Sequence, residues 1–359
     1  MKVAITGNPN TGKTSLFNKL TGLNQKVGNY PGITVEKKVG YFVLPNNTKV
    51  ELVDLPGTYS LNASSKDEEV VTEALINEKF QDYPEAVIVV VDATNLKRNL
   101  LLFTQVLDLE LPVVLVLNMI DVANRKGLAI DAAGISNHFN VPVVCVNARK
   151  GTGLSELKEA LAKPLKGAAS AIFNHLEEFK QFTAEAAKIL ETKLNYAAWL
   201  VANTEDFENI SVDQASALNN LRVKHAVNTN RSKVKETISR YRVIDEVLAK
   251  YVSKTGKGII GRSDKLDSIV THKIWGFLIF FGLLTIIFQA IFSWASWPME
   301  LIETFFGDIS TWIKTLLPAG PVAEMLADGI VPGVAGVLVF IPQIAILFFL
   351  LAILEQSGY

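Results

Sequence analysis

The stretch GNPNTGKTS, from Gly7 to Ser15, stands between the apolar MKVAIT and the helical pattern SLFNKLTG. It fits G-x-x-x-x-G-K-[ST] in the strand-to-helix setting that a phosphate-binding loop requires. Gly7 and Gly12 would let the backbone of Asn8, Pro9, Asn10 and Thr11 turn N–H groups toward phosphates, and the next helix adds its positive end. Lys13 would reach the β- and γ-phosphates, Thr14 would place its hydroxyl on Mg2+, and Ser15 lies beside it in the same site.

Later strings bear on the base and on the γ-phosphate. DLPG, Asp54 to Gly57, ends a strong strand: Asp54 can hold Mg2+ through water, and the Gly57 N–H is free to sense the γ-phosphate. NMID, Asn118 to Asp121, ends the next-but-one strand, where the Asp121 carboxylate can accept two hydrogens from a guanine edge that adenine cannot match. Asn118 would brace the loop that contacts the base, and NARKG would close around it through Asn147, Ala148 and Arg149. In GNYPGITVE, Gly32, Ile33 and Thr34 lie between the loop helix and the Asp54 strand. Thr34 can complete the Mg2+ shell only when the γ-phosphate is present, which makes this segment an order-to-disorder switch.

The residue after DLPG is Thr58, where some GTPases put a glutamine to orient the attacking water. Asn10 has a side-chain carbonyl that could coordinate K+ beside the phosphates and offset developing negative charge, or could only hydrogen-bond loop backbone. Catalysis is therefore expected of Asn10, Lys13, Thr34 and Gly57. The purely structural alternatives are a chance glycine turn at the loop, a loop-capping acid at Asp121 and a plain strand start at Thr34.

Such residues need a sheet to carry them. KVAIT, KVELVDL, AVIVVVDA, PVVLVLNM and VPVVCVNA are β-branched and bounded by Asp, Asn, Gly or Pro, and between them GKTSLFNKLTG, KDEEVVTEALINEK, NLLLFTQVLDLE and GLSELKEALAK read as helices. Residues 1–165 are thus an α/β P-loop domain with a mixed, mostly parallel sheet, and KKVGYFVLPNNTKVELVDL adds an antiparallel hairpin turning through Asn46 and Asn47. Strand signals vanish over 166–253, where FKQFTAEAAKILETKL and a long run from Ala215 to Val252 read as a helical domain. Residues 254–273 read as a connector and 274–359 as part of a membrane domain.

Charge supports that division. Ile274 to Met299 and Gly329 to Leu354 contain no Asp, Glu, Lys or Arg, and each is long enough to cross the roughly 30 Å hydrocarbon layer as a helix. The segment between them is amphipathic and reads as interfacial helices. Pro332 and Pro342 interrupt the second run, as broken helices at transport sites do. Lys254, Lys257, Arg262, Lys265 and Lys273 precede the first run and place its start on the cytoplasmic side. With no signal peptide ahead of the first strand, the preceding domains are expected in the cytoplasm, with Cys145 a thiol. A net charge of -1 gives no argument for nucleic acid, and four His with one Cys leave neither a disulfide framework nor a zinc cluster. The chain reads as a piece of a larger membrane protein or one part of an oligomer.

The motifs GNPNTGKTSLFN, GNYPGITVE, DLPGTYSL and NMIDVA, followed by DSIVTHKIWGFLIFF and FIPQIAILFFLLAILEQSGY, resemble the FeoB family of ferrous-iron transport proteins over essentially the whole chain. The resemblance implies a GTPase with Mg2+ as cofactor, Asn10 as the asparagine of K+-stimulated hydrolysis, and 166–253 as a spacer like a guanine-nucleotide dissociation inhibitor. It implies GTP and GDP, the cell inner membrane, ferrous iron in the full-length protein, and a second copy or a small cytoplasmic regulatory protein as partners. Two departures accompany it. NARKG stands where the family usually has Ser-Ala, and the family's multi-pass membrane domain, with its proposed cysteine, glutamate and methionine iron path, normally continues well beyond SGY. The iron ligands are accordingly unassigned, and the chain is expected to be truncated. The alternative reading is a membrane-tethered regulatory GTPase that binds a partner without transport.

Overall fold

The structure is a computed structural model that describes residues 1–22, 25–30, 36–63, 65–165, 167, 173, 177–204, 207, 210–254, 274–318 and 320–357, with side chains described as far as residue 352. Its contacts divide into two units, Met1–Ile259 and Ile260–Tyr359, each described by itself.

In the first unit, β1 (Lys2–Gly7), β2 (Gln25–Asn29), β3 (Glu36–Val43), β4 (Lys49–Asp54), β5 (Ala86–Asp92), β6 (Val113–Asn118) and β8 (Val143–Cys145) form one sheet in the order β2-β3-β4-β1-β5-β6-β8. The first three strands are antiparallel to one another and the rest pair in parallel. The β3–β4 hairpin turns at Asn47, whose φ of 62° lies in the left-handed region that asparagine tolerates. Central strands AVIVVVD and VVLVLN are apolar on both sides because both sheet faces are covered. Along β5, Val87, Val89 and Val91 enter one core with α2 (Lys66–Ile76) and α3 (Leu96–Leu107). Ile88 and Val90 enter the other, with α1 (Lys13–Thr21) and α6 (Leu154–Ala162).

Register then gathers the chemistry. Ile5 pairs with Asp54, Gly7 with Val90, Asp92 with Asn118 and Leu117 with Cys145, so the motif-bearing ends of β1, β4, β6 and β8 finish at one edge. Ligands of open α/β sheets bind at such an edge. Gly7 is obligatory there, since a β-carbon on it would lie 2.3 Å from the Val90 carbonyl oxygen.

The helical part does not form a separate core. Phe182 of α7 (Lys180–Ile189), Tyr196 and Trp199 of α8 (Asn195–Ala202), Leu218 of α9 (Val212–Lys224) and Ile244 of α10 (Thr229–Tyr251) join the α2–α3 cluster, and α10 packs along α3 and α5 (Ala132–Phe139). The run from Ala215 to Val252 is two helices rather than one. Ala226 takes φ 48°, Val227 N–H reaches Arg222 O at 2.9 Å and Ala226 N–H reaches Val223 O at 3.1 Å, the paired bonds of a left-handed helix stop. Asn228 then caps α10 by accepting from Arg231 N–H. After α10 the chain returns to the nucleotide part, where β9 (Val252–Lys254) pairs antiparallel with β7 (Leu128–Ile130), just beyond α4 (Ile120–Arg125).

A buried charge cluster joins α3 to α10. Arg240 is 1% exposed, lies 2.7 Å from Asp108 Oδ2, donates to Thr104 O at 2.7 Å and to Glu236, and stacks on the Tyr196 ring at 4.6 Å. Burial pushes the Asp108 carboxyl up to about 6 against the pull of Arg240. Arg240→Met would leave two buried carboxylates without a cation and is expected to cost roughly 3–5 kcal/mol of stability in urea denaturation. For Asp108, the folded pKa lies above its ordinary 3.8, so its favourable term is complete below that value and is lost as pH rises through about 6. Wild type should therefore lose stability relative to Asp108→Asn across that interval.

In the second unit, helix Trp275–Gln289 continues through a π-helical turn, Ala290–Trp294, into Ser296–Leu316. The helix thus runs past Met299, where the uncharged sequence ends. Pro321–Glu324, a π-helical Met325–Ile330 and Val331–Leu338 follow, with Lys314 paired to Asp328 at 2.7 Å. Pro332 sits in the first turn after the π segment and leaves the helix continuous, whereas the chain breaks at Val339–Phe340 just before Pro342 and resumes as Ile341–Ser357. Among the described residues, Trp275–Leu316 and Pro321–Ala352 are long and apolar enough to cross a membrane.

Candidate nucleotide site

The loop after β1 is built from backbone constraints. Asn10 and Gly12 both take left-handed φ, 65° and 82°. Thr11 holds the bend by donating its hydroxyl to Asn8 O at 2.8 Å. The first backbone bond of α1 is Leu16 N–H to Gly12 O at 3.0 Å, so the N–H groups of Lys13, Thr14 and Ser15 point out of the helix end toward the loop's interior. Thr14 and Ser15 are exposed there, and the buried Asn8 amide has no partner among the described residues.

Asn118 ties three loops together. Its Nδ2 donates to Thr11 O at 2.8 Å, and its Oδ1 accepts from Ala148 N–H at 3.0 Å. A β-carbon on Gly12 would lie 2.3 Å from that Nδ2, so Gly12 is set by contact as well as by φ. Met119 takes φ 60° and starts α4, which carries Asp121. Asn147 lines the site, but its Oδ1 is taken by Lys150 N–H at 3.0 Å, so it shapes its own loop and presents Ala148 and Arg149. Between these loops lies a cavity of about 620 Å³ lined by Gly12, Ser15, Asn118, Asp121, Ala148 and Arg149. Asp121 is 36% exposed there, with Arg125 Nη2 at 3.8 Å.

On the phosphate side, Lys13 Nζ contacts the Asp54 carboxylate and Leu55 O. Burial raises the Asp54 pKa more than Lys13 lowers it. Tyr30, fully buried, donates its hydroxyl to Asp54 O at 3.3 Å and stacks on Phe80. The Gly57 N–H has no protein acceptor among the described residues, and Gly57 abuts Pro9, whose ring would lie 3.4 Å from an added β-carbon. The elbow carrying Asn10 and the glycine of DLPG therefore face the same place. Asn10 is exposed and its side chain makes no hydrogen bond among the described residues, so the loop-brace alternative finds no partner here. Gly32, Ile33 and Thr34 lie outside the described residues.

Thr58 is buried and turned away. Its hydroxyl donates to Ser60 O at 2.7 Å and meets Glu68 at 2.9 Å, so it offers nothing to an attacking water. Tyr30 and Gln105 were not legible as site residues. The only sequence signal for Gln105 is an amide inside the otherwise apolar NLLLFTQVL.

The family model described as "Ferrous iron transport protein B" matches residues 1–161. A "Fe(2+) transporter FeoB" of Leptospira biflexa is 36% identical over 99% of this chain and 53% of its own length. The solved structure of the cytosolic domain of L. pneumophila FeoB is 32% identical with TM-score 0.58 and is covered completely by 71% of this chain. The chain belongs to the FeoB family. It spans about half the length of the curated relatives it matches. A further FeoB structure, the cytosolic domain of the T. maritima iron transporter in GMPPNP form, is 30% identical with TM-score 0.54 over 70% of this chain and 99% of that one. The FeoB resemblance read from the motifs therefore holds.

Asp121→Asn would replace an acceptor by a donor in this FeoB chain. GTP should weaken by roughly 1–3 kcal/mol while xanthosine triphosphate gains, measured by calorimetry of both nucleotides. Unchanged GTP affinity would remove Asp121 from the base site.

Proposed function

We propose that this chain is the GTP-binding and GTP-hydrolysing cytoplasmic part of a ferrous-iron transporter, joined to the start of its membrane domain. The observation that carries the reading is Asn118, which holds the phosphate loop, the Asp121 loop and the Ala148 loop around one cavity. Guanine enters that cavity, with the Asp121 carboxylate accepting from its N1–H and 2-amino group. The phosphates lie along the N–H groups of residues 10–15, and Lys13 leaves Asp54 to neutralise them.

The donor set fits Mg2+: the Thr14 hydroxyl and Asp54 carboxylate are hard oxygens at adjoining ends of α1 and β4, with Thr34 proposed to complete the set. Bound Mg2+ would supply charge against the β- and γ-phosphates. Asn10 fits K+ because its side-chain carbonyl is free in the elbow next to Pro9, which abuts Gly57, whose N–H would donate to a γ-phosphate oxygen. With Thr58 turned inward, hydrolysis relies on this electrostatic support rather than on a side chain that orients water.

The membrane-bound full-length protein would place these residues on the cytoplasmic face, with ferrous iron, a second copy or a small regulatory protein as partners. The break at Val339–Phe340 favours transport over simple anchoring, since a plain anchor needs no interrupted span.

Potassium should raise kcat over sodium by about tenfold and leave GTP affinity nearly unchanged. Asn10→Ala should erase the difference between the salts. The measurement is phosphate release at matched ionic strength, and equal wild-type rates in both salts would contradict the role given to Asn10. In vesicles containing the intact protein, GTP-dependent iron uptake should vanish with Lys13→Ala; unchanged uptake would break the link to transport.

A further inference from the structure

Resting on the GTPase reading, we infer that Gln105 of α3, oriented by Glu236 of α10, is a positioning residue that sets the segment after Gly57 for hydrolysis. Gln105 is fully buried, and both ends of its amide are used on that segment: Oε1 accepts from Leu61 N–H at 2.8 Å, and Nε2 donates to Ser60 Oγ at 3.0 Å. A carboxamide in an apolar helix interior carries a desolvation cost, which these bonds offset only while Ser60 and Leu61 stay in place. Thr72 completes the hold on Leu61 by donating to its carbonyl at 3.0 Å. At Leu61, four residues past Gly57, the backbone is thus held at both its N–H and its carbonyl.

What fixes the amide is the helical layer. Glu236 is 0% exposed, and its Oε1 gathers Tyr196 OH at 3.0 Å, Arg240 Nε and, at 3.5 Å, Gln105 Nε2. Its Oε2 faces Asn62 Nδ2 at 3.4 Å. The carboxylate determines which way round the Gln105 amide lies: with oxygen toward Glu236 it would meet a negative charge and leave Leu61 N–H facing an NH2 group. One carboxylate of α10 therefore touches the segment directly through Asn62 and indirectly through Gln105. Arg98, seven residues before Gln105 on α3, stacks on the Tyr59 ring at 4.1 Å and holds the near end of the same segment. None of these groups belongs to the base or phosphate loops, so their effect falls on the γ-phosphate side.

The consequence is a split between parameters. Gln105→Leu should lower kcat for GTP hydrolysis roughly tenfold, as a small misplacement of the segment beside the reacting phosphate would. GDP affinity, which depends on Asn118, Asp121 and the phosphate loop, should stay within about twofold, as should the ratio of rates in potassium and sodium. Glu236→Gln, which keeps the shape but loses the charge that orients the amide, should move kcat in the same direction. The double variant should be no slower than the slower single, because the two act in series.

The test is single-turnover hydrolysis and GDP titration of the detergent-solubilised full chain for these three variants and Gln105→Glu. Gln105→Glu keeps the acceptor for Leu61 N–H but cannot donate to Ser60, and it should also be slow. Reduced kcat with retained GDP affinity supports the assignment. Wild-type kcat in Gln105→Leu or in Glu236→Gln overturns it, as does a parallel loss of kcat and GDP affinity, which would mark a general loss of packing. A wild-type chain that binds GDP but hydrolyses no GTP would instead overturn the functional reading beneath it.

Discussion

Two hydrogen bonds made by one side chain hold the site together: Asn118 to Thr11 O and Ala148 N–H to Asn118. Everything else in the site depends on that closeness. It forces glycine at position 12, brings Asp121 to the same cavity as Gly12 and Ser15 at the start of α1, and leaves Asn147 to brace its own loop. The sheet makes the tie possible, because β1 and β6 both border β5 and end at the same edge. Neither bond is strong alone, about 1 kcal/mol net for an ordinary hydrogen bond. Burial gives them weight, since Asn118 is 3% exposed and losing either partner would leave a polar group without water.

The second constraint runs away from the nucleotide. The helical layer shares its core with the α3 face of the sheet, and a buried polar seam joins α3 to α10 within it, the Arg240, Glu236 and Asp108 cluster with its amide and hydroxyl neighbours. Two carboxylates around one guanidinium are not an economical way to fill a core. They do fix the rotation of α10 against α3, and that rotation is what an apolar interface would leave adjustable. The return of β9 to β7 fixes the far end of the same helix against the nucleotide part.

Much of this was legible from residue order. The hairpin through Asn46 and Asn47, the parallel strands and the loop positions follow from patterning and turn chemistry, because β-branched runs between glycine and asparagine have few other options. Contacts made by sequence-distant polar groups were not. Nothing in the chain announces that Tyr30 reaches Asp54, that Gln105 holds Leu61, or that Glu236 lies beside both Gln105 and Asn62. The helix stop at Ala226 was hidden because alanine carries no signal for a left-handed backbone, and the effect of Pro332 was overstated because a π-helical turn absorbs it.

The central claim is that the cavity framed by Asn118 selects guanine through a carboxylate that takes two hydrogens at once. Displacement of a fluorescent GDP analogue from the wild-type chain by GDP, inosine diphosphate and ADP tests it most directly. Inosine diphosphate lacks the 2-amino group and should bind roughly 1–3 kcal/mol more weakly than GDP, with ADP weaker still. Equal displacement by GDP and ADP would contradict the account.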